Sequence, residues 1–581
     1  MHAYDLPIAY RQLPAHSIER ALIEVGVKPS HLRSARLRAS HCGEELPTAL
    51  RNQGLASSER IAKAIALHSK LEYWSFHRLM VNDYSTVRDF TIESPLQGIP
   101  IELDKARNRI TLAVPSASVE IGGEFLSYTQ DLVIASTRAL QHAYRRIFAG
   151  TENQYRSVAL RIAQHEAKAS GESESGDYRR MFIALLRHAC YIGANDLQLQ
   201  TSAGVGNVRL VVDGVGTLFD VVSQHTMGKL ITIAMRATEK NEDNIKKQVF
   251  GEASFDEADL GEDVLAKELK ELRGEFDFRL NFGRAKGGET LVTRFLARDT
   301  ESLEFDQLGI DAEDQETLRD ALASNSGLLV ITGPTGSSKT TTRFAMLSQI
   351  DPEERSIQTI ENPVEYTHPL WMQYEISGIE EDESTEKVFR GMLRNAPRVI
   401  DIGEVRSKGT AQTMIRAAAT GHLVFTTLHA DDGPLAIYML RKLGIDNEDL
   451  AANLEIVLGV RLVRRLCGSC RREEDRPEAL VHIEALQEEC QLEPPGTALF
   501  YANETGCAHC TAGYRSRFLI YELLEVRDDV ASALRRGASA AEIRQLALKP
   551  QRTLRARCLA ALHAGHTSID ELIRVSPRRR Y

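Results

Sequence analysis

A glycine-rich segment that directly follows a short apolar run constrains the fold more than any other part of the sequence. The run Gly327–Thr332 (GLLVIT) has the continuous apolar character of a buried parallel strand. The segment GPTGSSKT (333–340) comes next, and a strand, a glycine-rich loop and a helix in this order present backbone N–H groups to phosphate. The pattern predicts an α/β nucleotide-binding fold, with Lys339 at the β- and γ-phosphates of ATP and the Thr340 hydroxyl on Mg²⁺.

The predicted nucleotide-binding segment is continuous. Its residues are Gly333, Pro334, Thr335, Gly336, Ser337, Ser338, Lys339, Thr340 and Thr341. Ser338 stands where the common P-loop pattern has glycine. Its backbone N–H can still donate, but its Cβ crowds the close approach to phosphate that glycine allows. The alternative is an ordinary strand, turn and helix without a ligand.

Composition and charge argue against several classes of function. The 581 residues suffice for three or four domains at roughly 100–200 residues each. The net charge of −10 argues against nucleic acid as the main partner, because phosphate-binding surfaces need clustered Lys and Arg. No apolar run approaches the roughly 18 residues of a membrane span, and the N-terminus carries prolines and charges where a secretory signal has an apolar core. We therefore expect a cytoplasmic chain with reduced thiols.

Four of the eight cysteines form two CxxC pairs late in the chain. Cys467 and Cys470 are the first pair, and Cys507 and Cys510 are the second. Two such pairs supply four thiolates for tetrahedral Zn²⁺ at about 2.3 Å each. The gap between the pairs exceeds the compact zinc-ribbon spacing, so they predict a small subdomain that the metal holds together. The alternative is four unrelated reduced cysteines.

The N-terminal part of the chain contains short helical and β-rich patterns. Residues 46–67 have apolar residues at helical spacing on either side of Gly54, which predicts two small helices. Residues 99–114 predict a strand, a polar turn and a second strand. From Asp131 to Lys168 the pattern predicts a helix.

Three further motifs follow the P-loop. They are TIENPVEY (359–366), IDIGEVR (400–406) and ATGHLVFTTLHA (419–430). In this order and at these spacings they resemble the aspartate box, the atypical Walker B motif and the histidine box of the type II secretion and type IV pilus assembly ATPase family. Apolar residues in the second motif predict a strand with Glu404 at its C-terminal end, where α/β folds place ligand-binding groups. The resemblance implies that Glu404 positions the attacking water and that Glu361 holds Mg²⁺ or its water shell. It also implies that His429 senses the γ-phosphate, with His422 nearby in support.

An arginine-containing segment, DFRLNFGRAKGGETLVTRFLARD (277–299), resembles the part of the same family that precedes the nucleotide-binding domain. The resemblance implies that Arg279 and Arg294 approach the nucleotide phosphates, and Arg284 is a third candidate. Arginine suits this task because its planar fork pairs with two phosphate oxygens. The alternative is a strand arginine paired with a surface carboxylate.

The cysteine pairs are also flanked by family-like sequence. RLVRRLC (461–467) and GCAHCTAGYRSRFLIYELLEV (506–526) resemble the tetracysteine insertion of the assembly and secretion branch, which the retraction branch generally lacks. Other positions depart from the family pattern, namely Asn362, Ala396 to Arg398 and Ser407. Together with Ser338 they leave the rate of hydrolysis open.

These observations combine into one predicted architecture. The fold class is α/β, with a RecA-like P-loop core, a preceding α+β (PAS-like) subdomain, an N-terminal small α/β docking domain and a zinc subdomain. The predicted boundaries are a docking domain over 1–168, a linker over 169–177, an ATPase N-terminal subdomain over 178–298, and a RecA-like domain over 299–581 with the zinc subdomain at about 461–521. The resemblance covers residues 180–575, and more faintly 40–150. Glu45–Pro47 (ELP) replaces the arginine-leucine-glycine signature of relatives that bind cyclic di-GMP, so that ligand is not predicted.

The resemblance implies a homo-hexameric motor that hydrolyses ATP to power type IV pilus assembly or type II secretion. Its partners would be an inner-membrane platform protein and a docking protein of the same machine, which would make it cytoplasmic and peripheral to the inner membrane. Two other functions remain open. One is an ATP-binding scaffold with little turnover, which the departing positions allow. The other is a DNA-translocating ring ATPase, against which the acidic net charge and the cysteine pairs argue.

Overall fold

The computed structural model covers the chain in two units, Met1–Glu301 and Ser302–Tyr581. The described residues are 17–575 apart from 54, 76–77, 80–85, 88–89, 91–97, 120, 122, 137–138, 141–142, 144–150, 168–174, 203, 237–249, 255–275, 286–287, 298–304, 377–380, 495–497, 508–509 and 511. Each unit has its own sheets and its own buried cores. Over the described residues, no helix combines the length and the apolarity needed to cross a membrane.

Four short helices begin the described part of the first unit. They are α1 (Ile18–Glu24), α2 (Pro29–Cys42), α3 (Leu46–Asn52) and α4 (Ser58–Ser69). Ser17 and Ser57 cap α1 and α4, since each hydroxyl accepts from the backbone N–H three residues ahead, at 3.3 and 3.1 Å. Apolar residues of all four helices, including Leu22, Leu32 and Leu50, form one core. The two helices predicted within residues 46–67 are confirmed.

A four-stranded sheet follows these helices. Its strands are β1 (Glu72–Tyr73), β2 (Ile99–Asp104), β3 (Arg109–Val114) and β4 (Thr129–Ile134), in the order β1-β4-β3-β2. β2 and β3 are antiparallel, as the pattern of residues 99–114 predicts. The helix predicted from Asp131 onward is wrong at its start, because residues 131–134 belong to β4. Val133 and Ile134 favour an extended strand once β1 and β3 supply backbone partners on both sides.

The second sheet of the first unit has six antiparallel strands packed against helices. The elements in chain order are α5 (Thr151–Ala167), α6 (Ser175–Tyr191), β5 (Ala194–Ser202), β6 (Val205–Val212), β7 (Val215–Ser223), α7 (Gln224–Arg236), β8 (Phe250–Ser254), β9 (Phe276–Ala285) and β10 (Gly288–Ala297). The strand order is β7-β6-β5-β10-β9-β8. Phe182, Leu230 and Phe282 belong to its core. Of the predicted linker, residues 169–174 lie outside the described residues and residues 175–177 begin α6.

The second unit is built on a seven-stranded sheet of order β13-β12-β14-β15-β11-β16-β19. The elements up to β16 are α8 (Ala312–Ala323), β11 (Gly327–Thr332), α9 (Lys339–Leu347), β12 (Ile357–Glu361), β13 (Met372–Glu375), α10 (Glu381–Met392), β14 (Val399–Ile402), α11 (Lys408–Ala419), β15 (Leu423–Leu428), α12 (Gly433–Lys442), α13 (Asn447–Asn453) and β16 (Leu454–Leu466). The remaining elements are β17 (Arg472–Glu473), α14 (Pro477–Cys490), β18 (Phe500–Tyr501), β19 (Tyr514–Glu525), α15 (Asp528–Arg535), α16 (Ala540–Ala547), α17 (Leu554–His563) and α18 (Ile569–Val575).

Both faces of this sheet are covered, which explains the apolar run of β11. Leu328 and Val330 belong to one core, and Leu329 and Ile331 belong to the core on the other face. The strands from β13 to β16 are parallel and only β19 is antiparallel to its neighbour, so the carboxyl ends of β11, β12, β14 and β15 share one edge. Ligands of open α/β sheets bind at this edge. The predicted fold class, a RecA-like α/β core preceded by an α+β subdomain, is confirmed.

Candidate nucleotide-binding site and metal centre

The predicted nucleotide-binding segment connects β11 to α9. A side chain at Gly333 would place its Cβ 2.6 Å from the carbonyl oxygen of Val460 and 2.4 Å from Oγ of Ser337, so only glycine fits here. Ser338 stands immediately before α9 in a left-handed conformation, with φ 74° and ψ 24°. The first N–H groups of α9 face the loop at the positive end of the helix dipole, which is a ready site for an anion.

Replacing Ser338 with glycine is expected to stabilise the protein by about 1 kcal/mol, because a side chain at this φ costs roughly that much. The serine hydroxyl makes no capping hydrogen bond, so the substitution removes no helix cap. Unfolding measured without nucleotide tests the stability, and calorimetry tests the tighter ATP binding that we also expect. Ser337→Gly is the matched control, since Ser337 is not among the residues with positive φ and should gain nothing. Unchanged or lower stability of Ser338→Gly would show that the conformation carries no strain.

Lys339 is held by the loop itself. Its Nζ donates to the carbonyl oxygens of Gly333 and Pro334 at 2.8 and 3.0 Å, and it lies 3.4 Å from Nδ1 of His429. Burial lowers the pKa of Lys339 to about 8, although the charge of Glu404 acts in the opposite direction. A phosphate group would offer this ammonium group a charged acceptor in place of neutral carbonyls.

Glu404 and His429 meet at the ends of neighbouring parallel strands, since Glu404 follows β14 and His429 follows β15. Nε2 of His429 lies 3.4 Å from Oε2 of Glu404, and Arg406 donates to the same oxygen at 2.8 Å. Burial alone would raise the pKa of Glu404, but the hydrogen bond from Arg406 and the charges of His429, Arg406 and Lys339 lower it overall. The resulting carboxylate, beside a histidine and a lysine, is suited to orienting a water molecule at a phosphate.

Thr340 and Thr341 occupy the first turn of α9, and both are half-buried. Oγ1 of Thr341 lies 3.2 Å from the hydroxyl of Tyr366, which connects this turn to the segment after β12. A threonine hydroxyl and nearby carboxylates are oxygen donors of the kind that Mg²⁺ prefers. The donor set at this edge therefore fits a magnesium nucleotide, with Thr340 as the protein hydroxyl.

Glu361 reaches the same sheet edge at the end of β12, but its carboxylate is already held by protein donors. Oε1 accepts from Thr359 Oγ1 at 2.7 Å and from Gln373 Nε2 at 3.0 Å, and Oε2 accepts from Arg343 Nη2 at 2.8 Å. The side chain is 5% exposed. Glu361 thus lies among neighbours that fix both of its oxygens.

His422 is not brought to this edge. It lies before β15, whereas His429 lies after it, so the two histidines are at opposite ends of one strand. Nδ1 of His422 is 3.0 Å from the carbonyl oxygen of Ala417, at the end of α11. His422 is therefore not near His429, although the motif suggested that it would support this residue.

The predicted phosphate-binding arginines lie side by side in the first unit. Arg279 on β9 is opposite Arg294 on β10, and Arg284 is exposed further along β9. Nε of Arg294 donates to Asp196 at 2.9 Å, and the Arg294 side chain is 54% exposed. This contact is the pairing of a strand arginine with a surface carboxylate that the sequence left open as the alternative to phosphate binding. Exposed pairs of this kind contribute at most about 1 kcal/mol, so a ligand could displace Asp196.

The four cysteines of the CxxC pairs form one cluster. Their sulfur atoms all lie within 4.8 Å of one another. The Sγ separations are 3.7 Å for Cys467 and Cys507, 3.5 Å for Cys470 and Cys510, and 3.6 Å for Cys507 and Cys510. Thiolates bound tetrahedrally to Zn²⁺ at about 2.3 Å would be about 3.8 Å apart. The arrangement therefore fits a structural zinc ion.

Two further arginines lie at the site although the nucleotide-binding motifs do not include them. Arg461 on β16 donates to the carbonyl oxygens of Val460 and Asp431 at 3.0 and 2.6 Å, and so anchors the segment that follows His429. Arg343 on α9 donates from Nη2 to Oε2 of Glu361 at 2.8 Å. Arg343 comes four residues after Lys339, which in a helix places both on the same face, and this spacing is the signal that could have identified it.

The fold and the site together define a P-loop nucleotide-binding protein with a RecA-like core. Lys339, Glu404 and His429 converge at the edge where the parallel strands end. The chain belongs to the Type II/IV secretion system protein family, whose family model matches residues 173–574. The family predicted from the motifs is thereby confirmed.

Individual relatives agree with this assignment. The chain is 28% identical over 483 residues to the type IV pilus assembly ATPase PilB of Thermus thermophilus. This alignment covers 82% of this chain and 52% of PilB. It is 29% identical over 459 residues to type II secretion system protein E of Pectobacterium carotovorum, covering 77% of this chain and 86% of that protein. The chain thus spans about half the length of the first relative and most of the second. Among solved structures, the pilus retraction motor PilT with bound ADP is 24% identical, with 68% of this chain and 97% of PilT covered and a TM-score of 0.45.

Proposed function

We propose that this protein hydrolyses ATP to drive pilus assembly or type II protein secretion. The observation that carries the proposal is the convergence of Lys339, His429 and Glu404 at the carboxyl edge of the parallel sheet, where His429 lies 3.4 Å from each of the other two. Membership of the secretion family supports the choice of machine, as do the relatives named as a pilus assembly ATPase and a type II secretion protein.

Each site residue has a separate proposed role in ATP binding or hydrolysis. The loop amides and Lys339 bind the β- and γ-phosphates, and the Thr340 hydroxyl holds Mg²⁺, which when bound neutralises phosphate charge. Glu404 orients the attacking water, and His429, between Lys339 and Glu404, detects the γ-phosphate. Arg279 and Arg294 are proposed to supply further positive charge to the phosphates.

The remaining features concern assembly. Cys467, Cys470, Cys507 and Cys510 are proposed to bind Zn²⁺, which stabilises the loops beside them, where the apolar core is small. The protein is proposed to act as a homo-hexamer in the cytoplasm, peripheral to the inner membrane. An inner-membrane platform protein and a docking protein of the machine would be its partners, and the N-terminal region would provide the docking surface.

Steady-state phosphate release from ATP tests the proposal. The zinc-replete protein is expected to turn over ATP only with Mg²⁺, and Lys339→Ala is expected to lower turnover by about 100-fold or more, because a preorganised charge at the phosphates is lost. Lys442→Ala is the matched control. Lys442 ends α12 and lies over the Tyr438 ring, so its removal should leave turnover unchanged.

Two other results would point to other functions. ATP binding and ring formation without turnover, even with the docking partner added, would favour the nucleotide-gated scaffold that Ser338, Asn362 and Ser407 allow. Salt-dependent DNA binding would favour a DNA-translocating ring, since phosphate contacts weaken as salt rises.

A further inference from the structure

Arg343 is a buried arginine whose guanidinium group donates two hydrogen bonds and forms an ion pair with a further carboxylate. Nη2 donates to Oε2 of Glu361 at 2.8 Å, at the end of β12. Nε lies 3.1 Å from Oδ2 of Asp401 on β14, and Nη1 donates to the carbonyl oxygen of Gly403 at 3.1 Å. The arginine side chain is 6% exposed, so water competes little for these contacts.

This cluster of charge is expensive to bury. Arg343 faces two carboxylates, and the side chains of Glu361 and Asp401 are 5% and 1% exposed. Burial raises the pKa of Asp401 to about 7, although Arg343 acts to lower it, and the second Asp401 oxygen has no hydrogen-bond partner. Buried ion groups of this kind rarely improve stability over apolar side chains of the same size. Stability is therefore a weak reason for this chain to carry the cluster.

The position of the cluster offers a better reason. Gly403, whose carbonyl oxygen Arg343 binds, is the residue immediately before Glu404. The same oxygen accepts from Oγ1 of Thr427 at 2.6 Å, and the Gly403 N–H donates to Ile360 at 2.8 Å. A Cβ at Gly403 would lie 3.0 Å from the Ile360 carbonyl oxygen and 3.4 Å from Nη1 of Arg343, so the peptide is closely enclosed.

Arg343 also lies one turn after Lys339 on α9. Its fork therefore connects the helix that carries the phosphate-binding lysine to the peptide that carries Glu404. A planar guanidinium can hold three acceptors in a defined arrangement, which a lysine cannot do. Small displacements of catalytic groups cost large factors in rate, so fixing this peptide matters for turnover.

We propose that Arg343 is a positioning residue that binds Glu361, Asp401 and the Gly403 carbonyl oxygen, and thereby holds Glu404 in place relative to Lys339. Glu361 acts in this arrangement as a partner of Arg343. The inference rests on the proposed ATP hydrolysis, in which Glu404 orients the attacking water.

The test separates positioning from stability by removing Asp401 together with Arg343. Arg343→Leu alone leaves Asp401 buried without its counter-charge and should lower the melting temperature. Arg343→Leu with Asp401→Leu removes one charge of each sign and leaves Glu361 with the donors Thr359 and Gln373 on its Oε1. We expect a melting temperature above that of Arg343→Leu and a KM for ATP close to that of the wild type. Its kcat should remain reduced by about 10-fold or more. Arg343→Lys, which keeps the charge without the fork, should also keep a reduced kcat. Recovery of kcat together with stability in the double variant would overturn the proposal.

A second readout does not depend on turnover. Hydrogen exchange of the segment 399–406 in the nucleotide-free protein should become faster in the double variant, because Gly403 loses one of its anchors. Unchanged exchange would overturn the positioning role of Arg343. Because this readout needs no turnover, it tests that role even in a protein that does not hydrolyse ATP, a result that would overturn only the proposed function. Arg355→Leu is the matched control for losing an arginine. Arg355 donates to the carbonyl oxygens of Leu322 and Ser324 at the opposite edge of the sheet, so its loss should lower stability without changing kcat or this exchange.

Discussion

Replacing Glu404 with glutamine is expected to reduce ATP turnover by about 100-fold or more, since the loss of a positioned general base or water-orienting carboxylate costs 10²–10⁴ in rate. Glutamine has the same shape and can still accept from Arg406, so the fold should persist. It lacks the charge that faces His429 and Lys339. ATP should therefore still bind, and somewhat more tightly, because a negative charge near the phosphates is gone. Phosphate release and calorimetric ATP binding, measured on the same preparation, give both quantities.

A matched control for this substitution is Glu448→Gln. Glu448 lies on α13, pairs with Arg535 at 3.3 Å and is 76% exposed, so its loss should change neither turnover nor affinity. Turnover of Glu404→Gln within a factor of about two of the wild type would show that another group orients the water. Loss of ATP binding in this variant would instead indicate a damaged site and would contradict the role given to Glu404.

Replacing Cys467 with serine is expected to release zinc and to unfold the loops that carry the two CxxC pairs. Structural zinc contributes about 10–16 kcal/mol of apparent binding free energy in small zinc domains, so one lost thiolate is a large perturbation. The apolar core beside the cysteines is small, comprising Leu466, Ala502 and Tyr514 with Phe500 packed against it. The helix α14 between the two pairs instead packs into a larger core with α17 and α18, so we expect the unfolding to stay near the cysteines. Metal analysis should show about one zinc per chain in the wild type and far less in the variant. Limited proteolysis should cut the variant within residues 467–513, and a chelator should do the same to the wild type.

The exposed Cys42 provides the control, because it lies in the first unit, far along the sequence from the cluster. Cys42→Ser should retain zinc and resist proteolysis as the wild type does. Full zinc retention in Cys467→Ser, or a wild-type protein without zinc that is equally resistant, would contradict a structural metal site. The four cysteines would then be reduced thiols that happen to lie together.

Much of the second unit follows from local patterns. The run Gly327–Thr332 is almost entirely apolar because every position of its strand is buried. The loop that follows it leads directly into α9. The two CxxC pairs predict a four-cysteine cluster because paired motifs of this kind are typical of metal sites, and the four sulfur atoms do lie together. Residues 131–134 show the limit of this reasoning. The apolar side chains of Leu132, Val133 and Ile134 suit a helix or a strand, and pairing with β1 and β3 selects the strand.

The sequence by itself determined the P-loop, the order of the motifs and the chemical types of the site residues, because these depend on spacing along a few neighbouring turns. Only the tertiary structure decided which of those residues meet. It placed His429 beside Glu404 and His422 at the far end of the same strand, and it set Arg294 against Asp196. It also surrounded Glu361 with three donors, including an arginine from α9. Such contacts join segments far apart in the chain, and only the packing of strands and helices fixes the distances between them.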